Sequence, residues 1–322
     1  MSATFFSYGE LMRSRLLKSN NVFLIGFILA FFGSILFSVK AILVKLAYRD
    51  TEVDAVTLLA LRMIFSLPFF LVSAWVVSGR TENLKFTTKQ WLYVALVGCL
   101  GYYISSLLDF LGLQYVTAGI ERLILFIYPT LVLLISAFFF KQKIKSIQVL
   151  AIAISYIGLV VAFFGEIDFQ KGQTHNFYLG ALLIFCCAIT YATYIVGSGR
   201  LIPVVGAVKF NSYAMAFASA GVLLHFLFNS KTSLIHLSPL TYLYGFLMAI
   251  FATVLPSYMV AEGIKRIGSG NAAIVSSIGP VSTLVLAYFM LGESFSVEQI
   301  IGTIMILIGV YIIGKFKPKE DL

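Results

Sequence analysis

The sequence predicts an all-α membrane protein with ten transmembrane helices, arranged as two inverted repeats of five helices each. Three observations lead to this fold class. Of the 322 residues, 60% are apolar and only 11% are charged, whereas a soluble domain has about 45–50% apolar and about 25% charged residues. The apolar residues are concentrated in long runs, and the two halves of the chain share a spaced pattern of residues.

Each apolar run is long enough to cross the hydrocarbon core, which takes about 20 residues of helix. The runs are continuous and do not alternate with the period of two that is typical of barrel strands, so helices are predicted. The predicted spans are residues 22–46, 54–79, 89–111, 117–140, 145–165, 177–200, 207–229, 239–262, 270–291 and 297–315. The predicted domains are a cytoplasmic tail at 1–21, one repeat at 22–165, a second at 177–315 and a cytoplasmic tail at 316–322.

The basic residues predict the orientation of these spans. With the N-terminus in the cytoplasm, 16 of the 23 Lys and Arg residues fall in cytoplasmic segments, four fall on the opposite side and three remain inside spans. The positive-inside rule therefore predicts that both termini are cytoplasmic, in a cell membrane such as a bacterial inner membrane. The net charge of +9 is accounted for by this asymmetry, so nucleic acid is not an expected partner.

An internal repeat links the two halves. Residues 112–163 align with residues 263–314 without a gap, and span 1 shares a looser pattern with span 6. Three glycine pairs and one proline pair are hard to obtain by chance: Gly112/Gly263, Gly119/Gly270, Gly158/Gly309 and Pro129/Pro280. Because each half holds an odd number of spans, the second half enters the membrane from the opposite side, which is the architecture of many secondary transporters.

Two motif pairs close the two halves. The first half carries Gly-Leu-Gln-Tyr-Val-Thr-Ala-Gly from Gly112, followed by Tyr128-Pro129-Thr130. The second carries Gly-Ile-Lys-Arg-Ile-Gly-Ser-Gly-Asn-Ala-Ala from Gly263, followed by Gly279-Pro280-Val281 and Leu291-Gly292-Glu293. The chain from about 22 to 315 thus resembles the EamA-type members of the drug/metabolite transporter superfamily, and Leu61-Arg62 resembles their second helix. It departs from them at Lys141-Gln142, where the second half has Gly292-Glu293. The resemblance implies transport, commonly export, of amino acids or other small metabolites.

Among the charged residues of the predicted spans, five are candidates for the interior of the bundle: Lys40, Arg62, Asp109, Glu121 and Arg122. Facing lipid, five charges would cost roughly 12–18 kcal/mol, so they are predicted to face the interior of the bundle, in its outer half. They are candidates for substrate binding or coupling. Alternatively, they pair with one another and hold helices together. Lys40 could contact a carboxylate or phosphate, and Asp109 or Glu121 could carry a proton.

Two prolines sit in the middle of equivalent spans and are candidates for helix breaks or gates. Pro129 and Pro280 each remove one backbone hydrogen bond, which is expected to free the carbonyls of Leu125 and Ser276. Such carbonyls are tolerated where they line a cavity or meet hydroxyl groups. Tyr128 is a further candidate for the wall of the cavity. For each of these residues, a purely packing role remains the alternative.

A secondary transporter of small polar metabolites is the favoured function, with the lipid bilayer as its environment and protons or a counter-substrate as the coupling partner. No cofactor or metal is expected, because the three cysteines lie inside spans without a metal-ligand spacing. An intramembrane enzyme would need a motif such as HExxH, which the sequence lacks. A channel would be favoured by a ring of charge repeated through oligomer symmetry. The sequence carries no signal for an oligomeric state.

Overall fold

The computed structural model describes residues 3–79, 86–169, 174–229, 233–291 and 297–315, and every regular element within these ranges is helical. The first predicted tail is part of a helix that begins at Ala3 and continues without a break through the first predicted span. The α-helices are α1 (Ala3–Asp50), α2 (Ala55–Ser78), α3 (Thr88–Gly98), α4 (Ser105–Gly112), α5 (Ala118–Leu125), α6 (Tyr128–Phe140), α7 (Ser146–Phe169), α8 (Thr174–Val205), α9 (Ala207–Asn229), α10 (Pro239–Ala249), α11 (Leu255–Val275), α12 (Ile278–Leu291) and α13 (Val297–Lys315).

Seven helical stretches within the described ranges are long and apolar enough to cross a membrane. They are Asn21–Asp50, Ala55–Ser78, Thr88–Gly112, Ile120–Phe140, Asn176–Val205, Ala207–Asn229 and Pro239–Val275. Three apolar helices are shorter: Ser146–Val161, Ile278–Met290 and Ile300–Ile313. The longest stretch, of 37 residues, contains a break at Gly268, whose φ of 79° is left-handed and suits a residue without a Cβ.

A π-helical segment interrupts one helix in each half of the chain. Cys99–Ile104 joins α3 to α4, and Ile250–Val254 joins α10 to α11. The two segments begin 151 residues apart, which is the offset of the sequence repeat. A π-bulge inserts an extra residue into a turn, so it rotates the side chains that follow, and such bulges are frequent at functional sites.

Each of the two repeated prolines follows a helix break, which is a two-residue turn between two helices. Phe126 and Ile127 separate α5 from α6, and Ser276 and Ser277 separate α11 from α12. Pro129 stands in the first turn of α6, where its missing N–H costs no hydrogen bond. The expectation of a freed carbonyl at Ser276 is wrong, because that oxygen accepts a hydrogen bond of 3.0 Å from the Gly279 amide. The tighter turn at the break provides this donor.

Glycines of the repeat lie at three close helix crossings. Two of these crossings are equivalent to each other, one in each half of the repeat. A Cβ at Gly112 would lie 3.1 Å from the Gly180 carbonyl oxygen, and one at Gly263 would lie 3.2 Å from the Gly26 carbonyl oxygen. Thus α1 packs against α11 as α8 packs against α4, each pair joining one half to the other.

The third crossing joins α7 to α13, and its two contacts correspond to each other under the repeat. A Cβ at Gly158 would lie 2.6 Å from the Gly302 carbonyl oxygen, and one at Gly309 would lie 2.7 Å from the Ala151 carbonyl oxygen. Each residue of the first contact has its counterpart 151 positions along the chain in the second. Such reciprocity is the property of a two-fold arrangement, in which residue i meets j and j meets i.

Candidate functional site

A cavity lies between the two halves of the chain. Its wall is partly polar and partly apolar, as is usual for sites that bind small molecules. Both π-helical segments and both helix breaks contribute to its wall. The lining residues are Ser34, Phe37, Lys40, Arg62, Gly101, Tyr102, Ser105, Ser106, Arg122, Leu125, Phe126, Tyr128, Cys187, Tyr191, Ala252, Thr253, Ser276, Gly279 and Pro280.

Four of the five predicted intramembrane charges form one connected network. Lys40 Nζ lies 2.7 Å from Asp109 Oδ2 and 3.9 Å from Glu121 Oε1. Arg122 Nε lies 3.0 Å from Glu121 Oε2, and its Nη2 donates to the Phe37 carbonyl at 3.2 Å. Both carboxylates are fully buried. Two cations and two anions therefore neutralise one another, as buried charges must when they are withdrawn from water.

The fifth charge, Arg62, is arranged differently. It is only 2% exposed, and its guanidinium donates from Nη2 to Ser106 Oγ at 2.8 Å. The guanidinium also lies 5.1 Å from the centre of the Phe110 ring. Its Nε has no hydrogen-bond partner among the described residues, and no carboxylate there lies within ion-pair distance of it. A buried guanidinium held by one hydroxyl group and one ring is poorly compensated.

The cavity wall consequently carries charge of one sign. Lys40, Arg62 and Arg122 line it, whereas Asp109 and Glu121 lie behind the wall, on the far side of the cations that they neutralise. The remaining polar wall within the described ranges consists of hydroxyl, thiol and backbone groups. The electrostatic potential inside the cavity is thus expected to be positive.

Hydroxyl groups link the second helix break to α1 and the helix after the first break to α11. The hydroxyls of Ser34 and Ser276 lie 2.6 Å apart, and Ser38 Oγ donates to the Gly279 carbonyl at 3.1 Å. Next to the first break, Tyr128 Oη donates to the Ala273 carbonyl at 3.4 Å. Because these bonds connect α1 to α12 and α6 to α11 around the cavity, a movement at either break would reach its wall.

The predicted candidates fall in three places. Lys40, Arg62, Arg122, Tyr128, Ser276 and Pro280 line the cavity, Asp109 and Glu121 stand directly behind it, and Pro129 follows the break in α6. Residues that the sequence interpretation missed are Ser105, Ser106, Thr253 and Tyr191. Hydroxyl groups in strongly apolar spans were the available signal for the first three. Within the part of the chain that is described, no group of three or more His, Cys, Asp and Glu residues could hold a metal ion.

Comparison with protein-family models gives one family over nearly the whole chain. The model of the EamA-like transporter family matches residues 24–164 and, a second time, residues 178–315. The resemblance seen in the paired motifs is therefore confirmed, and so is the internal duplication.

Relatives and a solved structure agree with this match. The Bacillus subtilis protein named uncharacterized transporter YcbK is 33% identical over 284 residues, covering 86% of this chain and 88% of its own. Protein PagO of Salmonella typhimurium is 22% identical over 255 residues, covering 78% and 81%. A crystal structure with 19% identity has a TM-score of 0.69 and covers 89% of this chain and 94% of its own, which indicates a shared fold.

Proposed function

Since the chain belongs to the EamA-like transporter family, we propose that it is a secondary transporter of small polar metabolites. Amino acids and related compounds are the proposed cargo, and export is the proposed direction. The observation that carries this proposal is the central cavity, which both halves of the duplicated chain enclose and both helix breaks border. A site at the junction of two repeats is where secondary transporters bind their substrates.

The proposed topology is ten spans, in two inverted halves, with both termini in the cytoplasm of a bacterium. The seven long and three shorter apolar helices together support ten crossings. The matched glycine contacts support a two-fold relation between the halves. Because each half then has an odd number of spans, the axis lies in the plane of the membrane.

Labelling of single cysteines tests this orientation. In a variant without the native thiols, a membrane-impermeant maleimide should modify Lys171→Cys from outside and should not modify Lys143→Cys. Lys171 lies outside the described residues, within the segment 166–176 that is predicted to be external. The opposite labelling pattern would show that the orientation is inverted, and equal labelling of both positions would contradict the proposed topology.

Alternating access is the proposed mechanism. At each break the run of helical backbone hydrogen bonds is interrupted, between α5 and α6 and between α11 and α12. The two halves can therefore tilt about these points. Protons or a counter-substrate would supply the energy, because the sequence contains no ATP-binding motif. Asp109 and Glu121, buried behind the cations of the wall, are the proposed proton carriers.

Metabolite profiling tests the function directly. Cells that express the protein and cells that lack it should differ in the export of at least one small polar metabolite. Ala252→Trp should abolish this difference, because Ala252 lines the cavity and the indole would occupy its space. The control is Ala74→Ser, a small change in the core of α2 away from the cavity. Identical metabolite profiles in the presence and absence of correctly inserted protein would refute transport.

A further inference from the structure

We propose that the cavity selects small organic anions, and that Arg62 is the residue that binds the oxyanion group of the substrate. The substrate class rests on the transport function proposed above. Three cationic side chains line the cavity, while the two buried carboxylates of the same region are already engaged behind the wall. Of the five charged residues of this region, three are cations and two are carboxylates, and among the described residues Arg62 is the cation without an ion pair.

The carboxylates are committed to their present partners. Asp109 is bound by Lys40 at 2.7 Å and Glu121 by Arg122 at 3.0 Å, and each carboxylate is fully buried. Moving either of them toward Arg62 would leave a buried cation without its anion, at a cost that buried pairs do not recover elsewhere. Since no other carboxylate of the described residues lies within ion-pair distance of Arg62, the proposed counter-anion is a ligand.

The geometry of Arg62 suits an oxyanion. Its Nη2 is bonded to Ser106, but its Nε is buried without a partner in the described part of the chain. A guanidinium presents paired N–H groups in a fixed plane that matches the two oxygens of a carboxylate or the edge of a phosphate group. The hydroxyls of Ser105 and Ser106 lie in the same wall and can donate to the remaining oxygen atoms.

The equivalent place in the second half shows that packing alone does not require an arginine. Ser257 stands 151 residues after Ser106 and is bonded by the neutral amide of Asn211, from Nδ2 to Oγ at 2.9 Å. The two contacts are alike in geometry: α2 meets α4 in one, and α9 meets α11 in the other. Since an amide fulfils the structural role there, the additional charge of Arg62 is left to be explained by a ligand.

The charge of the wall also separates classes of metabolite. A free ammonium group would lie among three cations, with no carboxylate facing it from the described wall. The positive wall attracts the carboxylate of a zwitterionic amino acid and repels its ammonium group, so the two interactions oppose each other. A carboxylic acid, a keto acid, an N-acylated amino acid or a phosphate ester has only the attractive interaction. Among the amino acids and related compounds proposed above, the favoured substrates are therefore those with a net negative charge.

Ligand-dependent stability of the purified protein tests the site. Sodium benzoate, malate and phosphate are compared with sodium chloride at equal ionic strength, and phenylalaninamide serves as the cationic probe. At least one of the three oxyanions should raise the unfolding temperature of the native protein. Arg62→Gln should raise the concentration of that oxyanion at half-saturation about tenfold or more, since hydrogen bonds to a charged group contribute most to such binding. Arg200→Gln, the same change at an exposed arginine that stacks on Phe140, should respond as the native protein does.

The ligand-free stability of the same variants distinguishes a binding role from a structural one. Removing an uncompensated buried cation should leave the unfolding temperature unchanged or raise it, so Arg62→Gln should be at least as stable as the native protein. Arg122→Gln should be less stable, because it leaves Glu121 without its nearest cation. Arg62→Lys, which keeps the charge and loses the planar fork, should retain a weakened anion response.

Several results would overturn the anion site. They are the absence of stabilisation by all three oxyanions, an equal response of Arg62→Gln, a stronger response to phenylalaninamide, and a loss of folding in Arg62→Gln that equals the loss in Arg122→Gln. A response to phosphate alone would assign the site to phosphate groups, and a response to benzoate or malate would assign it to carboxylates. Export of a neutral or cationic metabolite would support the transport function and refute the anion site. Anion binding without any export would support the anion site and refute the transport function.

Discussion

The two halves of the molecule share a backbone plan but differ in charge. Asp109, Glu121 and Arg122 of the first half correspond, at the offset of 151 residues, to apolar residues of the second. These counterparts are Val260, Ala272 and Ala273, all of which are buried. The same helices carry a π-helical segment and a break at matching places in both halves.

The difference indicates which features of a duplicated chain are tied to its architecture. Glycines at crossings and helix breaks fix how backbones approach, so a change in one half must be matched by the other if the two-fold packing is to survive. Charges inside the cavity depend only on the partner that each one finds. One half could therefore lose them while the other kept a complete network. The outcome is a duplicated scaffold around a site whose charged lining residues all come from the first half.

The largest expected effect comes from the charged half. Lys40→Ala should destabilise the protein by about 3–5 kcal/mol, because it leaves Asp109 buried without its counter-charge. The measurement is thermal unfolding of the purified protein in detergent. Lys40→Met combined with Asp109→Asn should recover most of this loss, since a neutral pair of similar volume needs no counter-charge.

Transport by the double variant then separates a structural role of the pair from a role in transport. If the pair only supports the fold, the double variant should export at the normal rate, and both the proposed contribution of Lys40 to binding and the proposed role of Asp109 as a proton carrier would be wrong. If either residue also acts in transport, export should remain impaired although stability has recovered. A single Lys40→Ala variant with native stability would contradict the ion pair itself.

The sequence predicted the helices well because hydropathy reports directly on contact with lipid. The run 54–79 corresponds to helix Ala55–Ser78, and the run 207–229 coincides with helix Ala207–Asn229. The cost of charge in lipid likewise indicated that five charged residues would face inward. Which cation would meet which carboxylate could not be predicted, because pairing depends on how each helix is rotated about its own axis.

Local departures from regular helix were the other feature that the sequence did not reveal. The π-helical segment at Cys99–Ile104 contains no proline, so no residue type marks it, yet it shapes the wall at Gly101 and Tyr102. The prolines did mark the breaks. However, the fate of the Ser276 carbonyl was predicted wrongly, because a tighter turn at the break supplied the Gly279 amide as a new donor.

The shared scaffold makes a second, smaller prediction. Gly158→Ala and Gly309→Ala should each cost about 1–3 kcal/mol, because each new Cβ would lie closer to a carbonyl oxygen than atoms can pack. The two losses, measured by thermal unfolding, should be similar if the halves are equivalent. Gly79→Ala is the control, since its Cβ would meet nothing nearer than 3.7 Å. A loss at only one of the two crossing positions would break the two-fold relation.

The neutral half should respond more weakly than the charged half. Asn211→Ala removes the hydrogen bond to Ser257 and should cost about 1 kcal/mol, the usual value for a neutral hydrogen bond. Ser257 keeps its own bond to the Val254 carbonyl, so no charge and no buried donor is left behind. The measurement is again thermal unfolding, compared with Lys40→Ala in the same detergent. A loss as large as that of Lys40→Ala would show that the second half also depends on its polar contacts.

The smallest effect is expected at Glu262, the acidic residue of α11 in the second half. Arg266 Nη2 lies 2.8 Å and Lys265 Nζ 3.6 Å from Glu262 Oε1, so the carboxylate has as many cationic partners as the buried Glu121 has. The difference is exposure: the side chains of Glu262 and Lys265 are 23% and 46% accessible. Water already stabilises each of these charges, and such pairs contribute about 0–1 kcal/mol.

Glu262→Gln should therefore change the free energy of unfolding by less than about 0.5 kcal/mol, and added salt should reduce even that change. Glu121→Gln, the same substitution in the buried network, should change stability several times more, with little dependence on salt. If the two substitutions had equal effects, burial would not be the factor that distinguishes the charges of the cavity from those at the edge of the membrane domain.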